Sequence, residues 1–179
     1  MRTILPHSEN PALREVAREV PVAEIASPAI QGLIAEMRAL LSKEKYGVAL
    51  AAPQVGEALQ LFVISPEALE KREESYGDTE GEPQAAEEHL VYINPRFAKM
   101  SRGTKGKHEG CLSVRGYWGV VPRAEKATLV AYDEHGKKFT RGASGFLAHI
   151  FHHEMDHLEG VLYVDKATEV YEEKPDDER

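Results

Sequence analysis

The stretch HIFHHEMDHLEG, residues 149–160, holds four of the chain's eight histidines. His153 and His157 are four residues apart, and Glu154 follows the first of them. On a helix, positions i and i+4 share one face, so both imidazoles can point at one ion. Neutral imidazole suits Zn, Fe, Ni or Co. Glu154 can take a proton from a water that the metal has made more acidic. His149 extends the row, but three ligands along one straight helix would span roughly 12 Å at 1.5 Å per residue. His149 therefore reads as a pocket-lining residue one turn upstream. His152 points about 100° away from His153 and reads as packing or surface.

Two ligands do not complete a catalytic site. The extended zinc-protease pattern HExxHxxGxxH finds Gly160 but meets Tyr163 where histidine is required. Barely twenty residues follow His157, so a distant helical glutamate is not expected either. The third ligand is expected from upstream. Cys111, in HEGCLSVRGYWGVVPR (108–123), is the only cysteine. As a thiolate it is a soft anionic ligand, and Cys with two His leaves one position open for catalysis. The same residue also reads as a buried structural thiol. A third stretch, GVALAAPQVG (47–56), is small and apolar with one amide, Gln54. Its small residues let a backbone approach, and Gln54 can donate to an oxygen that becomes negative during reaction. The alternative is a tight helix-to-strand connection with no chemistry.

These residues need elements to hold them. SPAIQGLIAEMRALLSKEK (27–45) predicts a helix, with Ser27 as N-cap and Pro28 at the first turn. Ile30, Leu33, Ile34, Met37, Leu40 and Leu41 form one apolar face. Gly47 is placed to close it. Residues 10–22 read as a clamped N-terminal arm. Strands are predicted at 59–65 and 90–95, a hairpin at 126–141 turning at Asp133–Gly136, and a last strand at 161–165. The histidine stretch predicts a helix over 144–158, capped by Ser144 and stopped by Gly160. Tight turns between successive strands predict antiparallel pairing. The fold class is α+β, with antiparallel sheets packed around a central metal-binding helix carrying HExxH.

The net charge is −8, unevenly spread. Residues 67–89 carry −7 and residues 168–179 carry −4, which leaves the rest at +3. The first segment reads as a solvated acidic insert and the second as an acidic tail, both outside a catalytic domain at 1–167. A dedicated nucleic-acid binder would show a concentrated basic face, so direct nucleic-acid binding is not expected. No run is long enough for a membrane span, and residues 1–10 lack secretory or transit character. A lone cysteine suits a reducing compartment. A cytoplasmic location is expected.

Taken in order, Gly47–Gly56, Glu109–Ser113 and His152–Leu158 resemble the three motifs of peptide deformylase, and the resemblance runs from about Pro11 to about Asp165. It implies a metal-dependent hydrolase that removes the formyl group from formyl-methionyl nascent polypeptides and releases formate. By motif match, Cys111, His153 and His157 are metal ligands and Glu154 is the general acid/base. Gln54 and the backbone N–H of Leu112 form the oxyanion hole. Gly47, Val48, Ala49 and Gly110 meet the peptide. Val48 and Phe146 are candidates for the apolar methionine pocket, with His149 at its edge; Phe146 equally reads as core. The family's ion is usually Fe(II), with Zn, Ni or Co also able to fill the site. The chain departs from the family at Ala49, usually glycine, whose methyl lies near the expected substrate path. It departs again at His152, usually glutamine, and at Arg115, frequently proline, which with Tyr117 and Trp118 can reshape the rim. The acidic tail argues against ribosome docking through a basic extension. Arg123 is a candidate partner for Asp156 or Glu109, since carboxylates near a metal need fixing. Two rivals stand beside this reading. A zincin-like peptidase needs a downstream ligand that is not there. A metal-stabilised binding protein leaves Glu154 and Gln54 without a use.

Overall fold

The computed structural model describes residues 2–66, 68 and 90–173. Among the described residues, eight strands and three α-helices make two antiparallel sheets and the helices that fill the space against them. Helix α1 (Pro28–Leu41) starts where the sequence predicts, with Ser27 Oγ accepting from the Ile30 N–H. It buries Ile30, Leu33, Ile34, Met37 and Leu41 against β1 (Ala49–Ala51) and β2 (Leu61–Ile64). Gly47 does not close this helix. The helix ends at Leu41 with Ser42 as C-cap in the right-handed region, so no left-handed glycine is needed there.

The larger sheet has the order β1-β2-β3-β6-β7, with β3 (Val91–Met100), β6 (Lys126–Tyr132) and β7 (Lys138–Ser144). The 126–141 hairpin is present. Asp133 Oδ1 accepts from the N–H groups of His135 and Lys137, and Gly136 takes φ +77° in its turn. The smaller sheet has the order β4-β5-β8, with β4 (Thr104–Cys111), β5 (Val114–Ala124) and β8 (Glu169–Glu172). β4 and β5 form a long hairpin whose last pair is Cys111 opposite Val114. Cys111 thus stands at the hairpin tip.

Helix α2 (Gly145–Leu158) carries the histidine stretch and packs on β1, β6 and β7 of the larger sheet and on β5 of the smaller. Leu147, Ala148, Ile150, Phe151 and Leu158 are its buried apolar residues, and Phe151 lies edge-on to Tyr92, which stacks on Phe62 at 4.7 Å. Ser144 is the N-cap by position, but its side chain makes no capping bond. Two expectations fail downstream. The run at 161–165 is not a strand: Tyr163–Lys166 forms a short helix, α3, and Asp165 Oδ2 accepts from the Leu162 N–H at its start. A run of four apolar residues does not distinguish strand from buried helical turn, and the carboxylate of Asp165 that follows it decides the matter. Nor is the acidic tail separate from the fold at residue 168, because Glu169–Glu172 pair with β5 as β8. Backbone hydrogen bonds along a sheet edge form whatever the side-chain charge. The greater part of the 67–89 insert and residues 174–179 lie outside the described residues. Among the described residues no helix is long and apolar enough to cross a membrane.

The N-terminal arm ties these parts together. Asn10 caps the 3-10 turn Pro11–Arg14 and donates to the Pro53 carbonyl. The Leu5 and His7 N–H groups donate to the carbonyls of Gln54 and Ser113, and the Ala17 N–H donates to that of Leu158. Gly160 ends α2 at φ +72°, and a Cβ there would lie 2.9 Å from the Arg14 carbonyl oxygen. Both the left-handed backbone and the close arm require glycine. Gly160→Ala is therefore expected to cost at least about 2 kcal/mol in urea denaturation. A variant as stable as the parent would show that the arm gives way freely.

Candidate active site

Each candidate side chain is delivered by a different kind of element. Cys111 comes from the β4–β5 tip, His153 and His157 from one face of α2. Gln54 comes from the 3-10 turn Ala52–Val55 directly after β1. The donor atoms of Cys111, His153 and His157 all lie within 4.8 Å of one another. Cys111 Sγ is 3.4 Å from His157 Nε2, and the two rings are 4.9 Å apart and nearly perpendicular. One soft sulfur and two imidazole nitrogens converge on a single point, as a catalytic three-ligand metal site requires.

The electrostatics agree with that use. Burial holds His157 well below the ordinary histidine range, assisted by repulsion from His153, so its ring is neutral with a free lone pair. Burial also opposes charge on His153, but Cys111 and Glu109 outweigh it and raise this histidine well above its ordinary value. One imidazole is held neutral, and the other is drawn towards its charged form by Cys111 and Glu109. A divalent cation fits the donor set of one sulfur and two imidazole nitrogens.

Around the three donors runs a buried ionic network. Glu109, on β4, is 2% exposed, and Arg123, on β5, is 3% exposed. Arg123 grips Glu109 through Nε at 2.6 Å and Nη2 at 3.0 Å, and donates through Nη1 to Asp156 of α2 at 2.7 Å. Sequence reasoning offered Asp156 or Glu109 as its partner; it holds both. Lys166 of α3 donates to the other oxygen of Asp156 at 2.6 Å. His153 Nδ1 lies 2.8 Å from Glu109 Oε2, which leaves Nε2 to face the centre. His149 Nε2 lies 2.8 Å from Glu109 Oε1. Burial alone would push the Glu109 carboxyl up, but its hydrogen bonds from His149, His153 and Arg123 hold it far below the usual range. It is an anion throughout.

Glu154 differs from the paired carboxylates Glu109 and Asp156. It is 3% exposed, and its Oε2 has no hydrogen-bond partner among the described residues. Burial lifts its pKa to about 7 against the pull of His153. Gln54 is fixed by its oxygen, which accepts from the Ala51 N–H at 2.9 Å. That turns its NH₂ towards Cys111 Sγ at 3.6 Å and Ser113 Oγ at 3.3 Å. Leu112 occupies the hairpin turn beside Cys111 and packs on the core that α1 covers.

The remaining candidates line the approaches. Val48 is half-buried, and its carbonyl accepts from the Ser65 N–H. β1 is the edge strand of its sheet among the described residues, and its outer side pairs with none of them as a strand. Ala49 is buried, with its methyl in the core cluster of Phe62, Ile64 and Leu147 instead of in an open path. At Gly47 a Cβ would come 2.8 Å from that of Glu44, so the close approach is to its own chain. The Trp118 ring lies over Gly110, at 3.3 Å from a Cβ built there. Phe146 packs against the core and sits edge-on to His149, 6.3 Å between ring centres. His152 is buried beside Phe97. Arg115 pairs with Glu44, which joins the hairpin to the segment before β1. Sequence reasoning did not find the roles of Lys166, Glu44 or Ser113. The only signal for each is spatial.

Removing Arg123 leaves two buried carboxylates without their shared cation. Arg123→Met is expected to destabilise the fold by about 3–5 kcal/mol in chemical denaturation, and Arg123→Lys to recover only part, because one ammonium cannot match the fork. Full recovery by lysine would show that only the charge matters.

The polypeptide deformylase family model matches residues 1–173. The chain is 38% identical over 159 residues to a tomato (Solanum lycopersicum) protein named peptide deformylase 1A, chloroplastic, covering 89% of this chain and 57% of that one. It is 34% identical over 165 residues to a peptide deformylase of Desulforudis audaxviator, covering 92% of this chain and 93% of that one. The solved structure of a peptide deformylase from Legionella pneumophila superposes with a TM-score of 0.76 at 34% identity, covering 94% of this chain and 86% of that one.

Proposed function

This chain belongs to the polypeptide deformylase family, and we propose that it removes the N-terminal formyl group from formyl-methionyl nascent polypeptides, releasing formate and a free amino terminus. The observation that carries the proposal is Glu154. A buried carboxyl with an unpartnered oxygen and a pKa near 7 stands beside three convergent metal donors. Such a group costs stability and is explained by proton transfer.

The roles follow from the positions. Cys111, His153 and His157 hold one divalent ion. We assign Fe(II) as the native metal, with Zn, Ni or Co able to occupy the same donors. When bound, the ion supplies Lewis acidity that lowers the pKa of a water and polarises the formyl carbonyl. Glu154 takes a proton from the attacking water and passes it to the departing amine nitrogen. Gln54 Nε2 and the Leu112 backbone N–H donate to the oxygen that gains charge. The open edge of β1, with Gly47, Val48 and Ala49, receives the peptide backbone as an added strand, and Gly110 flanks it from β4. Val48 and Phe146 form the apolar pocket for the methionine side chain, with His149 at its edge. The working unit spans the helices and both sheets through β8. Recruitment to a ribosome would not use a basic tail, because β8 itself is acidic. The lone Cys111 favours a reducing compartment, and we place the protein in the cytoplasm. The chain spans 57% of the tomato relative's length, so that protein's whole activity is not carried across.

The test is formate release from a formyl-Met tripeptide by anaerobically prepared, Fe(II)-loaded protein. Turnover is expected in the parent and about 10²–10⁴-fold less in Glu154→Gln with its metal content unchanged. No formate from fully loaded parent protein would contradict the proposal.

A further inference from the structure

Glu109 is the hub between the metal donors and the rest of the protein, and α2 contributes two residues to it. His153 Nδ1 meets Oε2 at 2.8 Å, and one turn earlier His149 Nε2 meets Oε1 at 2.8 Å. Arg123 occupies one further site on each oxygen. A carboxylate offers about four lone-pair sites, and four nitrogens stand within 3.0 Å of this one. The side chains involved are all largely buried, Glu109 at 1% side-chain exposure, His149 at 12% and His153 at 13%.

We infer that His149 is a positioning residue for the metal ligand His153, acting through Glu109. Without His149, Oε1 keeps only Arg123, and the carboxylate is free to turn about its own axis. His153 would then lose the fixed acceptor that sets its ring plane and keeps its proton on Nδ1. Histidine suits the task because its ring nitrogen reaches Glu109 from one helical turn away. Arginine or lysine at this position would supply the bond but repel the ion. The inference rests on the metal reading of Cys111, His153 and His157. It moves the main role of His149 from the edge of a substrate pocket to the support of the ligand set.

The experiment loads cobalt(II) into the parent, His149→Leu and His149→Gln, and follows release of the ion to a chelator together with the visible spectrum of the bound cobalt. Leucine keeps the volume and removes the donor; glutamine restores it. The expected result is release about 10-fold or more faster in His149→Leu, with an altered cobalt spectrum, and both returned to within about twofold of the parent in His149→Gln. Cobalt release and spectrum unchanged in His149→Leu, with only KM for the formyl-Met peptide altered, would overturn the inference and leave the pocket role. Equal loss in both variants would also overturn it, since the donor would not matter. A parent that takes up no cobalt would overturn the metal reading itself.

Discussion

The Arg123 guanidinium is the fixed point of this structure. It joins Glu109 on β4 to Asp156 on α2, and so clamps the hairpin that carries Cys111 to the helix that carries His153 and His157. A charge this deep is costly to desolvate, and a lone buried ion would not be tolerated. The cost is offset only because every member is paired: Arg123 with two carboxylates, Asp156 also with Lys166, Glu109 also with two histidines. The positions of the sulfur and of the two imidazoles are then consequences of one ionic lattice. The sheets set the coarse distance between hairpin and helix, and the lattice sets the fine one.

Against that satisfied background the unsatisfied groups stand out. Glu154 Oε2 and His157 Nδ1 are buried without partners. Gln54 points its amide at Cys111 because its oxygen is tied back to Ala51. The N-terminal arm adds a second restraint from outside. Its Leu5 and His7 amides hold the carbonyls of Gln54 and Ser113, so the two walls flanking the donors are laced to one strand of chain. His152 Nε2 and Gln60 Oε1 are also buried without partners among the described residues, so an unpaired group gains meaning only beside the three donors, where Glu154 and His157 stand.

Much of this was legible in the sequence because it is local. The i, i+4 spacing of His153 and His157, the Ser27 cap, and the Asp133–Gly136 turn each depend on a few neighbouring residues, and each is present. The pairing of Arg123 was legible as a need, since carboxylates near a cation must be fixed. That it takes both Glu109 and Asp156 depends on three elements meeting, which no local pattern encodes. The errors have the same origin. The run at 161–165 has a strand's composition, but the Asp165 carboxylate and the burial of Tyr163 favour a helical turn. The acidic stretch after 168 looked unstructured because its charge pattern carries no information about the free edge of β5. His149 was legible as lying on the ligand face, but its partner, forty residues away in sequence, was not.

The proposed chemistry depends on one sulfur and two imidazoles sharing an ion at the junction of β4 and α2. X-ray absorption at the metal edge of the loaded protein tests it most directly. The expected spectrum has one sulfur and two imidazole nitrogens in the first shell, with the sulfur absent in Cys111→Ser. A first shell of nitrogen and oxygen alone in the parent would contradict the site, and with it the reason for the network around Arg123.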